Sequence, residues 1–275
     1  MTAAPDTDTT ANGGGRYTFN NASPPAAQQV RLLAEILDGH STDVLARSGV
    51  ESGWRCLDLG TGAGSVARWL ADQVSPAGRV VAIDADPRHV PTHELIDVRT
   101  GDVTTLDLGR DKYDLVHARL LLMHLTQREQ VLRRAVAALK PGGVLVVSDW
   151  DCTHLDEMLL RGPAGLAEAF VAFQKALVGL AEDNGAVPSW AYRVPVAMRD
   201  AGLVDVEAEV HNRLWSGGEA GCLLHASNSR QMEPALLARG VSVEQLETLR
   251  DGMDDPDTLA WSYPMVTSVG RRAED

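Results

Sequence analysis

The sequence predicts an α/β fold built on a doubly wound, mostly parallel sheet, and three observations predict it. An apolar strand, Cys56-Leu57-Asp58-Leu59, runs into Gly60-Thr61-Gly62-Ala63-Gly64-Ser65, with glycines at every second position. A second apolar strand, Arg79-Val80-Val81-Ala82-Ile83, ends in Asp84, about 20 residues past the turn, where an acid can hold a ribose diol. Between residues 55 and 150, five such strands alternate with helices or short crossovers, the pattern of a doubly wound sheet. A glycine-rich strand-to-helix turn also lets a ligand approach the backbone where a side chain would block it. Together these features point to an adenosine-containing cofactor at the carboxyl edge of a parallel sheet.

Each element can be justified in order. Residues 1–16 are Thr, Asp, Ala, Asn and Gly without apolar periodicity, and read as a disordered tail. Residues 17–48 read as an N-terminal helical lid. Ser23-Pro24-Pro25 starts its first helix, and Val30, Leu33, Ile36 and Leu37 give that helix one apolar face. A second short helix is expected from about Ser41 to Arg47. The cofactor-binding core spans 49–151. After the glycine turn, Val66, Trp69, Leu70 and Val74 recur at helical spacing. Glu94 to Arg99 and Tyr113 to Ala118 supply the third and fourth strands. Thr126-Gln127-Arg128-Glu129 reads as a capping box opening a helix, whose buried stripe is Val131, Leu132, Ala135, Val136 and Leu139. Pro141-Gly142-Gly143 ends that helix, and Val144 to Val147 is the fifth strand.

Residues 152–190 read as a largely helical cap insert, with Leu166, Phe170, Phe173, Leu177 and Leu180 as its buried face. The remainder of the core, 191–275, holds a sheet-packing helix over Tyr192 to Ala201 and a strand from Gly202 to Val210. A helical insert follows over 218–251, with Ser242-Val243-Glu244-Gln245 as a second capping box, and a last strand runs from Met265 to Val269.

Composition narrows the function. The 275 residues carry 44% hydrophobic and 23% charged side chains, ordinary for a globular protein. A net charge of −13 argues against a nucleic-acid surface, which needs a clustered positive field. Three scattered cysteines, Cys56, Cys152 and Cys222, are too few for a disulfide framework and fit a reducing cytoplasm. No basic-then-apolar leader and no apolar run near the ~20 residues of a membrane span is present, so no membrane partner is expected.

The turn itself separates two cofactor classes. A nicotinamide or flavin site wants glycines at positions one, three and six. Here the sixth position is Ser65, and the third glycine is Gly64. Asp58 precedes the turn, where an acid suits an ammonium group better than a pyrophosphate. Asp102 follows the third strand and could accept from an adenine amino group. Each acid alone reads as a helix-capping loop residue; three at the ends of three successive strands read as a site.

On these residues the chain resembles class I S-adenosylmethionine-dependent methyltransferases, in the broad group that includes ubiquinone/menaquinone-biosynthesis enzymes and many specialised-metabolite methyltransferases. The resemblance rests on Leu57 to Gly64 and Val81-Ala82-Ile83-Asp84. Gly101-Asp102-Val103, Tyr113-Asp114-Leu115-Val116 and Leu139-Lys140-Pro141-Gly142-Gly143 then follow in order. It implies a seven-stranded, Rossmann-like sheet whose last strand is antiparallel, topped by a helical cap, and S-adenosylmethionine as cofactor with S-adenosylhomocysteine as product. Gly60, Thr61, Gly62 and Gly64 would lie against the methionine and ribose parts. Asp58 would hold the methionine amino group directly or through water, and Asp84 would take the ribose hydroxyls. Asp102 and Val103 would read the adenine, and Ala118 and Arg119 would flank the methionine end. Ala85 stands where many relatives stack a larger apolar residue on the adenine. Tyr17, in the lid, completes the cofactor contacts.

Methyl transfer is an in-line displacement governed by positioning and desolvation, and needs a base only when the acceptor must lose a proton. His124, beside the fourth strand in Leu120-Leu121-Leu122-Met123-His124-Leu125, is the first candidate, against a structural role of equal weight. His154, after the fifth strand, is the second; His117, Asp149 and Asp151 share that sheet edge. No metal is expected. His89 and His93 are separated by Pro91, which disfavours a helical zinc pair, and the fourth strand leads into His117-Ala118-Arg119 rather than a metal-binding acid. The Pro-Pro-aromatic motif of nucleic-acid-base methyltransferases is absent there too. Trp150, Trp190, Tyr192, Trp215, Trp261 and Tyr263 are candidates to wall an apolar or aromatic acceptor, and Arg193, Arg213 and Arg230 to bind a carboxylate.

The expected function is methyl transfer to a small molecule or short peptide, foremost at a hydroxyl or carboxyl oxygen in specialised metabolism. The alternatives are a C- or N-methyltransferase of a quinone, isoprenoid or amino-acid-derived substrate and, from another class, a catalytically inactive cofactor-binding regulatory subunit. A homodimer is compatible with either.

Overall fold

The computed structural model describes residues 26–274. The expected tail, the helix start at Pro24 and Tyr17 lie outside the described residues. Helix α1 (Ala26–Arg47) leads to β1 (Arg55–Leu59), α2 (Ser65–Val74), β2 (Arg79–Asp84), β3 (Ile96–Thr100) and β4 (Tyr113–Arg119). Helix α3 (Arg128–Ala138) and β5 (Leu139–Trp150) follow. The cap contributes β6 (Leu159–Arg161) and α4 (Leu166–Asp183), and α5 (Val194–Asp200) returns the chain to the sheet. Then come β7 (Leu203–His211), β8 (Leu214–Ser216), α6 (Ala220–Gln231), α7 (Glu233–Ala238), α8 (Val243–Asp254), β9 (Leu259–Trp261) and β10 (Met265–Arg272).

The seven-stranded sheet has the order β3-β2-β1-β4-β5-β10-β7. Strands β1 to β5 pair in parallel, and β10 is antiparallel to both neighbours, β5 and β7. From β1 the chain builds outward through β2 and β3, then returns to β4 on the other side. That reversal leaves a crevice at the carboxyl ends of β1 and β4, where neither crossover covers the sheet. Asp58 of β1 lies opposite His117 of β4 in this pairing.

Two buried layers flank the sheet. One holds Val66, Leu70 and Val74 of α2 with Val80, Leu115 and Val146 of the strands. The other holds Leu132 and Val136 of α3 with Leu57, Val81 and Val147, and runs on into the cap through Phe170, Phe173, Trp215 and Leu249.

The structure corrects several sequence expectations. Residues 26–47 form one helix, not two. Gly39 costs about 1 kcal/mol in a helix interior. Burial of Leu37, Val44 and Leu45 on either side outweighs it. The box at Thr126 does not form: the Thr126 hydroxyl donates to Gln127 Oε1, and the helix starts at Arg128 without a side-chain cap. The box at Ser242 does form, with Gln245 N donating to Ser242 Oγ and Ser242 N to Gln245 Oε1. A small antiparallel sheet, β6-β9-β8, was not expected, because three-residue strands carry too little periodicity to read. The strand expected over 202–210 forms as edge strand β7, which buries only Leu203.

The cap encloses an unusual histidine. His225 of α6 is fully buried, with Phe170, Tyr263 and Trp215 centred 5.1, 5.7 and 5.8 Å from its ring. Neither ring nitrogen has a hydrogen-bond partner among the described residues. Burial lowers its pKa from 6.5 to about 4, so it is neutral in the folded protein near pH 7. Between those two values the unfolded chain binds a proton that the folded chain refuses, so this group removes stability as pH falls from about 6.5 to about 4. His225→Leu should therefore lose less stability on acidification than the parent, the gap opening to roughly 3 kcal/mol in urea melts compared at pH 7 and pH 4.

Gly221, also in α6, makes a second prediction. Alanine in a helix interior is favoured over glycine by about 1 kcal/mol. A Cβ here would stand 1.9 Å from Cδ2 of Trp215, a buried ring. Overpacking of this kind costs roughly 1–3 kcal/mol, so Gly221→Ala should lower the urea midpoint. A raised midpoint would show that the ring can move.

Candidate active site

The glycine turn is shaped by bonds to the end of β2. Gly60, Gly62 and Gly64 all have positive φ, 66°, 57° and 74°, a left-handed conformation other residues adopt at a cost. Gly60 N and Thr61 N donate to Ile83 O at 2.8 and 3.1 Å, Gly62 N to Asp84 Oδ2 at 2.8 Å, and Gly64 N to Thr61 O at 2.8 Å. These amides are therefore spent within the protein. A pyrophosphate-binding turn would aim such groups at the ligand, so the nicotinamide alternative loses its main physical support.

Above the turn opens a cavity of about 500 Å³. A Cβ placed on Gly62 would have no protein atom within 4 Å, which makes its backbone an open shelf on the cavity wall. Asp58, Gly60, Thr61, Gly62, Asp84, Ala85, Asp102, Val103 and Arg119 also line this half. Asp84 Oδ1 accepts from Asp86 N at 2.9 Å, so its carboxylate both fastens the turn and faces the cavity. Asp102 Oδ1 accepts from Thr104 N in a local turn. Asp58 is 2% exposed, and each of its oxygens has a partner: Thr61 Oγ1 at 2.6 Å and His117 Nδ1 at 2.7 Å. Arg119 Nη1 donates to Asp38 Oδ1 and Ser41 Oγ, both at 2.9 Å, which ties α1 to β4.

Two of the residues expected at the cofactor lie off the wall. Gly64 gives its space to Val90, whose Cγ1 would stand 2.8 Å from an added Cβ. The Ala118 side chain belongs to the core beneath the sheet.

The opposite half is apolar. Leu33 of α1, Leu125, Trp150, Leu177 and Val178 of α4, Pro188, Leu224 of α6 and Tyr263 line it. Trp150 and Tyr263 pack with ring centres 5.1 Å apart, and Tyr263 donates its hydroxyl to Gln174 at 2.6 Å. Two polar residues in this half were not foreseen: Gln29 Nε2 donates to Asn228 Oδ1 at 2.8 Å. They are 199 residues apart, and nothing local in the sequence marks either amide.

The candidate bases separate. His124 lies on the cavity wall, and burial with Arg128 nearby lowers its pKa to about 4. It is therefore unprotonated near pH 7. His154 is off the wall; its side chain is 70% exposed and its Nδ1 lies 3.3 Å from Asp151. Asp149 is fully buried and has a different task. Its oxygens accept from Leu121 N and Met123 N, holding the segment that carries His124. Leu120, at the start of that segment, has φ 50°, a strained value for a leucine. Burial pushes the Asp149 carboxyl up to about 8.

Of the six large rings, Trp150 and Tyr263 line the cavity, Trp190 and Trp215 are core, and Tyr192 and Trp261 are exposed. Arg193 and Arg230 are exposed and Arg213 lines a separate crevice, so none of the three arginines reaches the cavity. Among the described residues no cluster of three or more His, Cys, Asp or Glu could hold a metal ion, and no helix is long and apolar enough to cross a membrane.

Comparison with known proteins agrees with this geometry. Residues 57–147 match the family described as a methyltransferase domain. Erythromycin 3''-O-methyltransferase of Saccharopolyspora erythraea is 29% identical over 174 residues, 59% of this chain and 54% of that protein. The ubiquinone/menaquinone biosynthesis C-methyltransferase UbiE of Pseudomonas savastanoi is 33% identical over 139 residues, 45% of this chain and 54% of that protein. The chain thus spans about half the length of the curated relatives it matches. The fold is shared with Haemonchus contortus phosphoethanolamine N-methyltransferase 2 in complex with S-adenosyl-L-methionine. That match has a TM-score of 0.57 at 17% identity, covering 92% of this chain and 59% of that one. It is also shared with the Bacillus subtilis YcgJ protein, with a TM-score of 0.55 at 14% identity, covering 86% and 100%. Residues 57–147 thus match a methyltransferase domain, within a fold shared with a structure solved in complex with S-adenosyl-L-methionine.

Proposed function

We propose that this protein transfers a methyl group from S-adenosylmethionine to a hydroxyl oxygen of an uncharged, largely apolar small molecule, in specialised metabolism. The observation that carries this reading is the division of one cavity into unlike halves. One half gathers Asp58, Asp84 and Asp102 around an open glycine shelf, and the other presents rings and aliphatic side chains.

The residues fit the cofactor. Asp84 faces the cavity with acceptor capacity left after its two backbone bonds, as a ribose diol requires. Asp102 and the buried Val103 offer an acceptor and an apolar surface for adenine. When bound, S-adenosylmethionine supplies a methyl group on a sulfonium sulfur, which leaves as a neutral thioether.

The chain's own contribution is to exclude water and to orient the acceptor. Among the described residues Arg119 is the one cation on the cavity wall, and Asp38 engages it, so those residues offer no spare positive charge to balance a carboxylate or phosphate. That favours a hydroxyl over a carboxyl acceptor. His124, unprotonated near neutral pH, can accept the hydroxyl proton as the oxygen attacks. The O-methyltransferase named among the relatives supports the same acceptor atom.

Two experiments test this. Calorimetric titration should show binding of S-adenosylhomocysteine and none of reduced nicotinamide dinucleotide, and Asp84→Ala should weaken that binding at least ~10-fold, since charge-assisted bonds contribute about 1.5–3 kcal/mol. Near-parental affinity in a folded Asp84→Ala would remove the ribose role. His124→Gln should cut methylation of a hydroxylated acceptor, read as mass gain, by at least ~10-fold while leaving S-adenosylhomocysteine affinity within about twofold. Equal loss of both would make His124 a packing residue.

A further inference from the structure

The Asp58–His117 pair assigns a second task to the crevice between β1 and β4. Its two members face each other across parallel neighbours and are 2% and 1% exposed. Nδ1 of His117 lies 2.7 Å from Asp58 Oδ1, and Thr61 Oγ1 lies 2.6 Å from Oδ2. Each Asp58 oxygen thus has a partner, and the carboxylate, unlike that of Asp84, is buried at 2% exposure. With the Nδ1 proton committed to Asp58, a singly protonated ring carries its lone pair at Nε2. That nitrogen is buried and has no hydrogen-bond partner among the described residues, yet His117 lines the cavity beside Thr61. Nε2 is therefore the ring's remaining acceptor, on a residue of the cavity wall where a ligand's proton donor can be placed.

We propose that His117 Nε2, and not Asp58, accepts a hydrogen bond from the ammonium group at the amino-acid end of the cofactor, with Asp58 as the positioning residue that fixes the ring and its tautomer. This rests on the cofactor reading above and deepens it. An ammonium has three N–H donors and no acceptor, so it suits a bare imidazole nitrogen. The carboxylate behind the ring strengthens that acceptor, as carboxylates do behind metal-bound histidines. The hydroxyl of Thr61 keeps Asp58 from turning toward the ligand.

The test is calorimetric and uses two ligands. S-Adenosylhomocysteine carries the amino-acid end; 5′-methylthioadenosine lacks it and serves as a check that the adenosine site is folded. The parent chain should prefer S-adenosylhomocysteine. In His117→Phe the affinity for S-adenosylhomocysteine should fall roughly ten- to a hundredfold, with 5′-methylthioadenosine unchanged within about twofold. His117→Gln, which returns an amide oxygen near the Nε2 position, should recover part of the loss. If Asp58 were the true ligand, His117→Phe would free its Oδ1 and leave the preference unchanged or larger, and that result overturns the assignment. An equal loss for both compounds also overturns it, as the mark of a structural role. A parent chain that binds only 5′-methylthioadenosine overturns the His117 role alone. A parent chain that binds neither overturns the cofactor reading and this inference with it.

Discussion

The bonding of the glycine turn to the end of β2 is the constraint from which the rest of the site follows. Ile83 O receives two amides and Asp84 Oδ2 a third. Those bonds can form only if the chain reverses through three left-handed residues, which is why glycine stands at 60, 62 and 64. They also aim α2 along the sheet, set Asp84 at the cavity edge and consume the amides that would otherwise attract an anion. A single hydrogen-bond pattern thereby settles both the geometry of the pocket and the sign of charge it avoids.

The second half of the cavity depends on a different kind of support. The segment from Leu120 to His124 carries a strained leucine, and the buried Asp149 holds it through two amides. Strain of this sort costs of order 1–3 kcal/mol and persists only where the surroundings over-determine it. Here the surroundings are β5, whose Ser148 O also receives Leu120 N. Facing this segment is a wall from α1, α4 and α6, joined across the chain by Gln29 and Asn228. The cavity therefore has a rigid floor made of neighbouring strands and a roof assembled from distant helices.

That difference in origin explains what could be read in advance. The strands from β1 to β5, the turn, Asp58, Asp84 and Asp102 were legible because their signals are local: a run of apolar residues, a glycine spacing, an acid at a strand end. The box at Ser242 was legible for the same reason, and the similar one at Thr126 misled because the Thr126 hydroxyl bonds the neighbouring Gln127 amide instead of a helix amide. The continuity of α1 past Gly39 was decided by burial of Leu37 and Leu45 and not by local propensity. His154 looked eligible by its position after a strand, but the chain turns it outward beside Asp151.

The class of sheet, the glycine turn and the acids at the ends of β1 and β2 and just past β3 could be read from the amino-acid sequence alone, since each follows from periodicity or from stereochemistry within a few residues. The engagement of Asp58 by His117, the support of a loop by Asp149, and the apolar lining with one buried amide pair came only with the packed fold. Those facts depend on which side chains meet across 59, 28 and 199 residues of chain. No local pattern encodes such meetings, because they are set by strand order and helix packing once the whole core has closed.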